Sequence, residues 1–253
     1  MKPALIYASG SARRWARCGE GNAISMHKMK QLLPIEGTPV ICRTIQQCLD
    51  RHVRPVVITP HQPIKDAVND AFTDFCISHT VDFLDVGSPY LLVETIAASL
   101  PAIRPHEQNG TIIGLLGDCF YSEWCMDQIT ASDDLRFFGR MDGSVITGGC
   151  GELFAWTWNH GKNWLQQAHA IQMAIEEAAA DPETRNQAGT PYGGLWQLYR
   201  GSVGIPLDVH DCEHHFQTIY DFTDDFDTPE DYARWTERYS RRMIKQGKGD
   251  NGN

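Results

Sequence analysis

Short apolar runs alternate with stretches of helical periodicity along the first half of the chain. Three apolar runs are bounded by glycine, proline or polar residues, so each predicts a buried strand; they span residues 4–7, 54–59 and 111–116. Residues 76–84 are also predicted to be extended. Between them, apolar residues at helical spacing predict helices over residues 39–49, 63–72 and 89–100. Thr38 and Pro39 are expected to start the first of these helices, with the threonine as its cap.

This β-α-β-α-β-α-β order predicts an α/β fold, with a Rossmann-like, mostly parallel central sheet and helices on both of its faces. In such sheets, ligands bind beyond the carboxyl ends of the strands. The segment after the first strand begins at Ala8, and the segment after the fourth begins at Gly117. Both segments are therefore expected on the same rim of the sheet.

The second half of the chain is less regular. Its composition predicts extended structure over residues 145–158, a helix over 164–180 and a strand over 215–222. A clear helix start returns at Thr228, where a capping threonine precedes a proline and two acids near the positive end of the helix dipole. No repeat or linker is evident, so we expect a single domain over residues 1–246 and a disordered tail over 247–253.

Length, charge and cysteine usage narrow the class of protein. The 253 residues are 42% hydrophobic, which is enough for one large core, and the net charge of −10 argues against a nucleic-acid or anionic-membrane surface. No apolar run approaches the roughly 20 residues of a membrane span, and the N-terminus lacks the features of a signal peptide. The eight cysteines include no Cys-x-x-Cys pair, so we expect reduced, mostly buried thiols in a cytoplasmic protein.

Small residues follow the first predicted strand: Ala8, Ser9, Gly10, Ser11 and Ala12. Because no large side chain blocks the approach, such a loop can bring backbone N–H groups close to a phosphate. Arg14 and Lys30 follow, and they would add the positive charge that a triphosphate requires. The loop matches neither Gly-x4-Gly-Lys-Ser/Thr nor Gly-x-Gly-x-x-Gly, so it is not one of the two common phosphate-binding motifs.

The loop and the segment after it resemble the opening signature of nucleotidyltransferases with the glycosyltransferase-A fold. This class includes sugar-nucleotide pyrophosphorylases, cytidylyltransferases and molybdopterin guanylyltransferases, and its signature is approximately Leu-Ala-Ala-Gly-x-Gly-x-Arg, then Pro-Lys-x-Leu-Leu-Pro-Ile-x-Gly-x-Pro-x-Ile. Residues 8–14 resemble the first half, and residues 30–41 resemble the second. The chain departs from the signature at three positions: Ser9, Ala12 and Met29.

Asp118 is the first candidate metal ligand. It follows an apolar strand, where a carboxylate can hold Mg²⁺ together with phosphate oxygens. The alternative is a turn-forming aspartate after Gly117. The resemblance favours the metal, because the same family carries a metal-binding aspartate after an apolar strand at this point.

Asp227 is the second candidate metal ligand. Residues 224–232 resemble the Asp-(Ile/Val)-Asp-Thr-Pro-Glu-Asp stretch late in many of these transferases, and the resemblance places the second ligand at Asp227. Asp225 is the neighbouring candidate, two residues back on the same side of an extended segment. A well-formed helix N-terminus explains the residues from Thr228 onward, but it does not require the acids before them.

The resemblance implies an Mg²⁺-dependent nucleotidyltransferase that joins a nucleoside triphosphate to a sugar phosphate, or a similar phosphate acceptor, and releases pyrophosphate. Arg14 and Lys30 would hold the leaving pyrophosphate, while residues 8–12 and Ser88 would contact the nucleotide. The implied partners are the nucleoside triphosphate and a small phosphorylated acceptor, without nucleic acid or membrane. The base, the acceptor and the oligomeric state stay open, a homo-oligomer included.

Two alternatives share this scaffold. A glycosyltransferase of the same fold would consume a nucleotide sugar, but that class usually carries Asp-x-Asp after the apolar strand, and this chain has a single acid at Asp118. A non-catalytic nucleotide-binding regulatory protein is the other alternative, and the departures at Ala12 and Met29 make it worth testing.

Overall fold

The computed structural model describes residues 1–9, 29–73, 81–87, 92–144, 148–180, 198–199, 201–202 and 215–249. Its strands are β1 (Pro3–Tyr7), β2 (Pro34–Ile35), β3 (Thr38–Pro39), β4 (Arg54–Ile58), β5 (Asp82–Leu84), β6 (Thr111–Leu116), β7 (Cys119–Phe120), β8 (Arg136–Ser144), β9 (Gly148–Asn159), β10 (Phe216–Thr218) and β11 (Asp224–Asp225). Its α-helices are α1 (Val40–Asp50), α2 (Gln62–Phe72), α3 (Leu92–Ser99), α4 (Glu123–Ala131), α5 (His160–Ala180) and α6 (Pro229–Gly249), with short 3₁₀ helices at Lys30–Leu32, Leu100–Ala102 and Pro105–Glu107.

Seven strands form the central sheet in the order β10-β8-β9-β6-β1-β4-β5. Strand β9 runs antiparallel to both of its neighbours, β6 and β8. The other neighbouring pairs in this sheet are parallel. The predicted α/β class with a mostly parallel sheet is therefore confirmed.

Both faces of the sheet are covered, as the side-chain alternation of β1 shows. Ala4 and Ile6 belong to one buried apolar cluster, which includes Ile41 of α1 and Ile64 of α2. Residues 5 and 7, which point to the opposite face, belong to a second cluster with residues of α3 and α5. A strand buried on both sides needs a continuous apolar sequence, which is the pattern that predicted it.

The first helix starts later than the sequence predicts. Glu36 and Gly37 have positive φ values of 51° and 84°, and they form the turn of a hairpin that pairs Ile35 with Thr38. Thr38 is consequently part of β3, and Pro39 precedes α1 without a side-chain cap. The prediction of a threonine cap is wrong because the local hairpin uses that residue.

Several other boundaries differ from the predictions. Strand β5 covers the end of the predicted extended segment over 76–84, and residues 74–80 lie outside the described part of the chain. Strand β8 was not predicted. Helix α5 begins at His160, and β10 is shorter than the predicted strand over 215–222. Helix α6 continues to Gly249, beyond the predicted start of the tail at residue 247. A glycine lowers helix propensity by about 1 kcal/mol but does not by itself end an established helix.

Two further observations concern the cysteines and the helices. The cysteines whose state the structure describes are buried and free: Cys42, Cys48, Cys119 and Cys125. None of the helices in the described ranges combines the length and the apolar character needed to cross a bilayer.

Gly114 of β6 provides a test of the packing on the sheet. A Cβ at this position would lie 2.4 Å from the ring of Trp156, which is fully buried and stacked on Tyr7. We expect Gly114→Ala to lower the free energy of unfolding by about 1–3 kcal/mol, measured by urea denaturation, because the ring has no room to move. Gly161→Ala is the matched control, since its nearest neighbour would be 3.4 Å away; equal stability of the two variants would contradict this packing.

Candidate active site

The site lies where β1 and β6 end, on one rim of the sheet. The N–H of Gly117 donates to the carbonyl of Tyr7 at 2.8 Å, so the chain after β6 is tied to the end of β1. The N–H of Ala8 donates to the carbonyl of Ile58 at 2.9 Å, and the Thr59 hydroxyl donates to the Ala8 carbonyl at 2.9 Å. The amide of Ala8 is thus engaged in the sheet, and Ala8 anchors the loop that it begins.

Ser9 is the last described residue of the predicted phosphate loop. Its hydroxyl lies 3.3 Å from the Thr95 hydroxyl, and its carbonyl lies 3.1 Å from Nε2 of His61. The start of the loop is therefore held by α3 and by the segment after β4. The other predicted loop and phosphate residues lie outside the described part of the chain: Gly10, Ser11, Ala12, Arg14 and Ser88.

A two-stranded ribbon brings the predicted metal ligands together. Strand β11 pairs antiparallel with β7, with Asp225 opposite Cys119, although more than one hundred residues separate the two strands. Asp118 directly precedes β7, and Asp227 follows β11 by two residues. The ribbon therefore places both aspartates at the same end of β6.

An apolar cluster holds this ribbon against the rest of the site. It contains Leu33 and Ile35 from the segment after Lys30, Phe120 of β7, Phe226 directly after β11, and Trp235 of α6. The Trp235 indole also donates to the carbonyl of Phe222 at 2.9 Å. This cluster fixes the position of the segment carrying Lys30 relative to both aspartates.

Lys30 lies between the two predicted metal ligands. Its ammonium nitrogen is 3.1 Å from Oδ1 of Asp227 and 3.4 Å from Oδ2 of Asp118. The Lys30 side chain is 8% exposed, whereas those of Asp118 and Asp227 are 24% and 28% exposed. The ammonium is thus nearly buried beneath carboxylates that open towards solvent.

Further carboxylates crowd this centre. The pKa of Asp225 is raised well above its ordinary value, first by burial and then by the negative charges of Asp227 and Glu152. Burial, followed by repulsion from Asp224, raises the pKa of Glu152 to about 7. Within the described structure, Oδ1 of Asp225 is buried without a hydrogen-bond partner. An added cation would relieve both the repulsion and the unmet hydrogen-bonding capacity.

Arg140 of β8 neutralises one side of this acidic group. Its guanidinium is buried and donates to Oδ1 of Asp224 at 2.7 Å and to Oε2 of Glu152 at 2.9 Å. It also donates to the carbonyl of Thr223 at 3.0 Å and lies 4.8 Å from the centre of the Phe154 ring. Arg140 therefore connects the sheet directly to β11.

The donor atoms present suit a hard divalent cation. Among the described residues, the carboxylate oxygens of Glu152, Asp224 and Asp225 lie within 4.8 Å of one another. Arg140 contacts two of these three, Glu152 and Asp224. Asp118 and Asp227 contact Lys30, whose charge also acts on Asp225. Oxygen donors of this kind favour Mg²⁺ or Ca²⁺ over the softer zinc ion.

Sequence reasoning singled out neither Arg140 nor Glu152. Arg140 lies in a strand that the sequence did not predict, and an arginine without a motif is ordinarily a solvated surface residue. The available signal was the excess of acids around Asp225, which requires a positive charge nearby.

The seven-stranded, mostly parallel sheet with helices on both faces has the fold of solved structures of nucleotide-sugar transferases. The family resemblance predicted from the sequence is confirmed at the level of the fold. No protein-family model matches the chain, and a comparison with curated protein sequences gives no significant match.

Three solved structures illustrate this similarity. The chain is similar to HddC from Yersinia pseudotuberculosis complexed with GMP-PN, with 16% identity, a TM-score of 0.52 and coverage of 94% of this chain and 100% of that one. It is similar to a putative glucose-1-phosphate thymidylyltransferase from Bacillus anthracis, with 12% identity, a TM-score of 0.57 and 94% of each chain covered. A nucleoside-diphosphate-sugar pyrophosphorylase from Vibrio cholerae gives 14% identity, a TM-score of 0.57 and coverage of 93% and 99%.

Arg140 provides a test of how the site is held. We expect Arg140→Met to lower the free energy of unfolding by about 3–5 kcal/mol, because it leaves Asp224, which is 1% exposed, buried without its partner. The double variant Arg140→Met/Asp224→Asn should recover part of this loss. The measurement is urea denaturation, with Arg136→Met, an exposed position on the same strand, as control.

Equal losses in the Arg140→Met and Arg136→Met variants would contradict the assignment of Arg140 as the compensating charge. So would a double variant that is no more stable than the single Arg140→Met variant.

Proposed function

We propose that the protein is an Mg²⁺-dependent nucleotidyltransferase that joins a nucleoside triphosphate to a sugar phosphate, or a similar phosphorylated acceptor, and releases pyrophosphate. The observation that carries this proposal is the position of Lys30 between Asp118 and Asp227, at the rim where β1 and β6 end. A lysine and carboxylates at one point of a rim can serve phosphate and metal at once.

The residues have distinct parts in this proposal. The acceptor phosphate attacks the α-phosphorus in line, so the protein needs no covalent nucleophile and contributes position and charge. Asp118 and Asp227 would hold Mg²⁺, with Asp225 beside them, and the bound ion would supply charge neutralisation at the phosphate oxygens. Lys30 and Arg14 would hold the leaving pyrophosphate, and residues 8–12 with Ser88 would contact the nucleotide.

The similar structures support the choice of substrates. One is a complex with GMP-PN, and the names of the others refer to a thymidylyltransferase and a nucleoside-diphosphate-sugar pyrophosphorylase. A nucleoside triphosphate and a sugar 1-phosphate are therefore the first pair to test. The buried free thiols are consistent with a reducing, cytoplasmic environment.

The decisive experiment mixes the protein with each of the four ribonucleoside triphosphates, Mg²⁺ and a panel of sugar 1-phosphates, and measures pyrophosphate. Release that depends on the sugar phosphate supports the proposal. Sugar transfer from a nucleotide sugar without pyrophosphate release would assign the chain to the glycosyltransferases instead. Nucleotide binding, seen as a rise in the melting temperature without turnover, would assign it to non-catalytic regulatory proteins.

Asp118→Asn tests the metal assignment. The substitution keeps the shape of the side chain but removes a charge that the proposal assigns to Mg²⁺, so we expect kcat/KM to fall at least about 100-fold. The melting temperature should not fall, because Asp118 is one of several mutually repelling acids. Asp70→Asn, on the exposed surface of α2, is the control; activity near that of the control would show that Asp118 holds no essential metal.

Lys30→Gln tests the lysine separately from the metal. Removing the ammonium makes the group around Asp118 and Asp227 more negative, so the Mg²⁺ concentration giving half-maximal rate should fall. The maximal rate should fall as well, because a contact to the leaving pyrophosphate is lost. The two quantities come from Mg²⁺ titrations of the rate at saturating substrates. A maximal rate close to that of the unmodified protein would exclude a role for Lys30 in holding pyrophosphate.

A further inference from the structure

A cavity of about 280 Å³ lies next to the ribbon, among α1, the β7–α4 junction, the segment before β11, and α6. Aromatic rings and two arginines form most of its wall: Arg43, Phe120, Trp124, Phe222, Tyr239 and Arg242. None of these residues belongs to the proposed active site. The volume is slightly below the usual range for small-molecule sites and fits a ligand of one or two fused rings.

The two arginines bring positive charge to this cavity. The guanidinium carbon of Arg43 lies 5.3 Å from the centre of the Phe120 ring, and that of Arg242 lies 4.9 Å from the centre of the Phe222 ring. Within the described structure, Nε of Arg43 is buried without a hydrogen-bond partner. Nη1 of Arg43 lies 3.4 Å from Oε2 of the half-exposed Glu36, whereas no ion pair of Arg242 is found among the described residues.

The acids at the edge of the cavity are already engaged. Asp221 accepts hydrogen bonds from the Ser122 hydroxyl and, at 2.7 Å, from the N–H of Thr223. Glu123 pairs with Arg51 at 2.8 Å and accepts from the Gln47 amide at 2.7 Å. The donors that these contacts leave open are therefore Nε of Arg43, which is not used in the pair with Glu36, and the guanidinium of Arg242.

We propose that this cavity is a second binding site, for a planar aromatic anion. The ring of the ligand would stack on the guanidinium groups and on Trp124, which is 48% exposed, and its acidic group would pair with Arg43 and Arg242. An aliphatic anion would lose the stacking, and a cation would meet the two arginines. The residues that line the cavity thus favour a ligand that has both an aromatic ring and a negative charge.

The position of the cavity indicates a regulatory role, and this part of the inference rests on the proposed function. Phe120 lies two residues after Asp118, and Phe222 lies two residues before Asp224. Both rings are attached to the ribbon that places the active-site acids. A ligand in contact with these rings therefore acts on the element that sets the separation of those acids, and its binding would change the rate of turnover.

The binding test uses 8-anilino-1-naphthalenesulfonate, an aromatic anion that fluoresces on leaving water. Titration of the full chain should show saturable binding of one probe per chain. Arg242→Gln should raise the dissociation constant at least about tenfold, because it removes one of the two charges. Arg241→Gln is the matched control, since Arg241 is the adjacent residue, pairs with Glu237 and does not line the cavity.

Two outcomes would overturn the proposed site. The first is an unchanged dissociation constant in the Arg242→Gln variant, which would mean that the probe binds an apolar surface without the arginines. The second is displacement of the probe by a nucleoside triphosphate with Mg²⁺ in simple competition, which would place the probe in the active site.

The regulatory part has its own measurement. Naphthalene-2-sulfonate, which is a similar but differently shaped aromatic anion, should change the rate of pyrophosphate release in the unmodified protein and in Arg241→Gln, but not in Arg242→Gln. Saturable probe binding in a protein whose turnover is unaffected would refute the regulatory role and leave the site standing. Probe binding in a protein that releases no pyrophosphate would contradict the proposed function alone.

Discussion

The candidate site depends on one nearly buried ammonium group surrounded by carboxylates. Lys30 contacts Asp118 and Asp227, and its positive charge also opposes the burial that raises the pKa of Asp225. Without a positive charge at this point, three carboxylates would repel one another at the end of a buried strand. A cation at this point reduces that repulsion, and Lys30 supplies one within the chain itself.

The polar centre exists because apolar contacts bring distant segments to it. Phe120, Phe226 and Trp235 pack together with ring centres 4.6 Å and 5.3 Å from the Trp235 ring. These residues come from the ribbon and from α6, and Leu33 adds the segment after Lys30 to the same cluster. Burial of the aromatic rings thus offsets the unfavourable approach of like charges a few ångströms away.

The sequence predicted those features that are local or carry a motif. Continuous apolar runs predicted β1, β4 and β6. The helix-start pattern at Thr228 predicted the start of α6, where Thr228 and Asp231 cap each other. The hairpin at Glu36 and Gly37 was missed because its positive φ values overrode the threonine–proline pattern. Arg140 could not be predicted, because its role arises only when β8, β9 and β11 become neighbours.

Arg140 and Lys30, the positive charges that the described residues bring to the site, differ in what they can do. Arg140 is buried, with hydrogen bonds to Asp224, Glu152 and a carbonyl. If its guanidinium moved away from these partners, buried carboxylates would be left uncompensated. Lys30 ends beneath carboxylates that are about a quarter exposed, and its flexible stem allows its ammonium to move. A cation entering from solvent could replace Lys30 between the aspartates, and the released ammonium would then be available to a phosphate. Arg140 therefore holds the scaffold, and Lys30 has the freedom to move that its proposed role with phosphate requires.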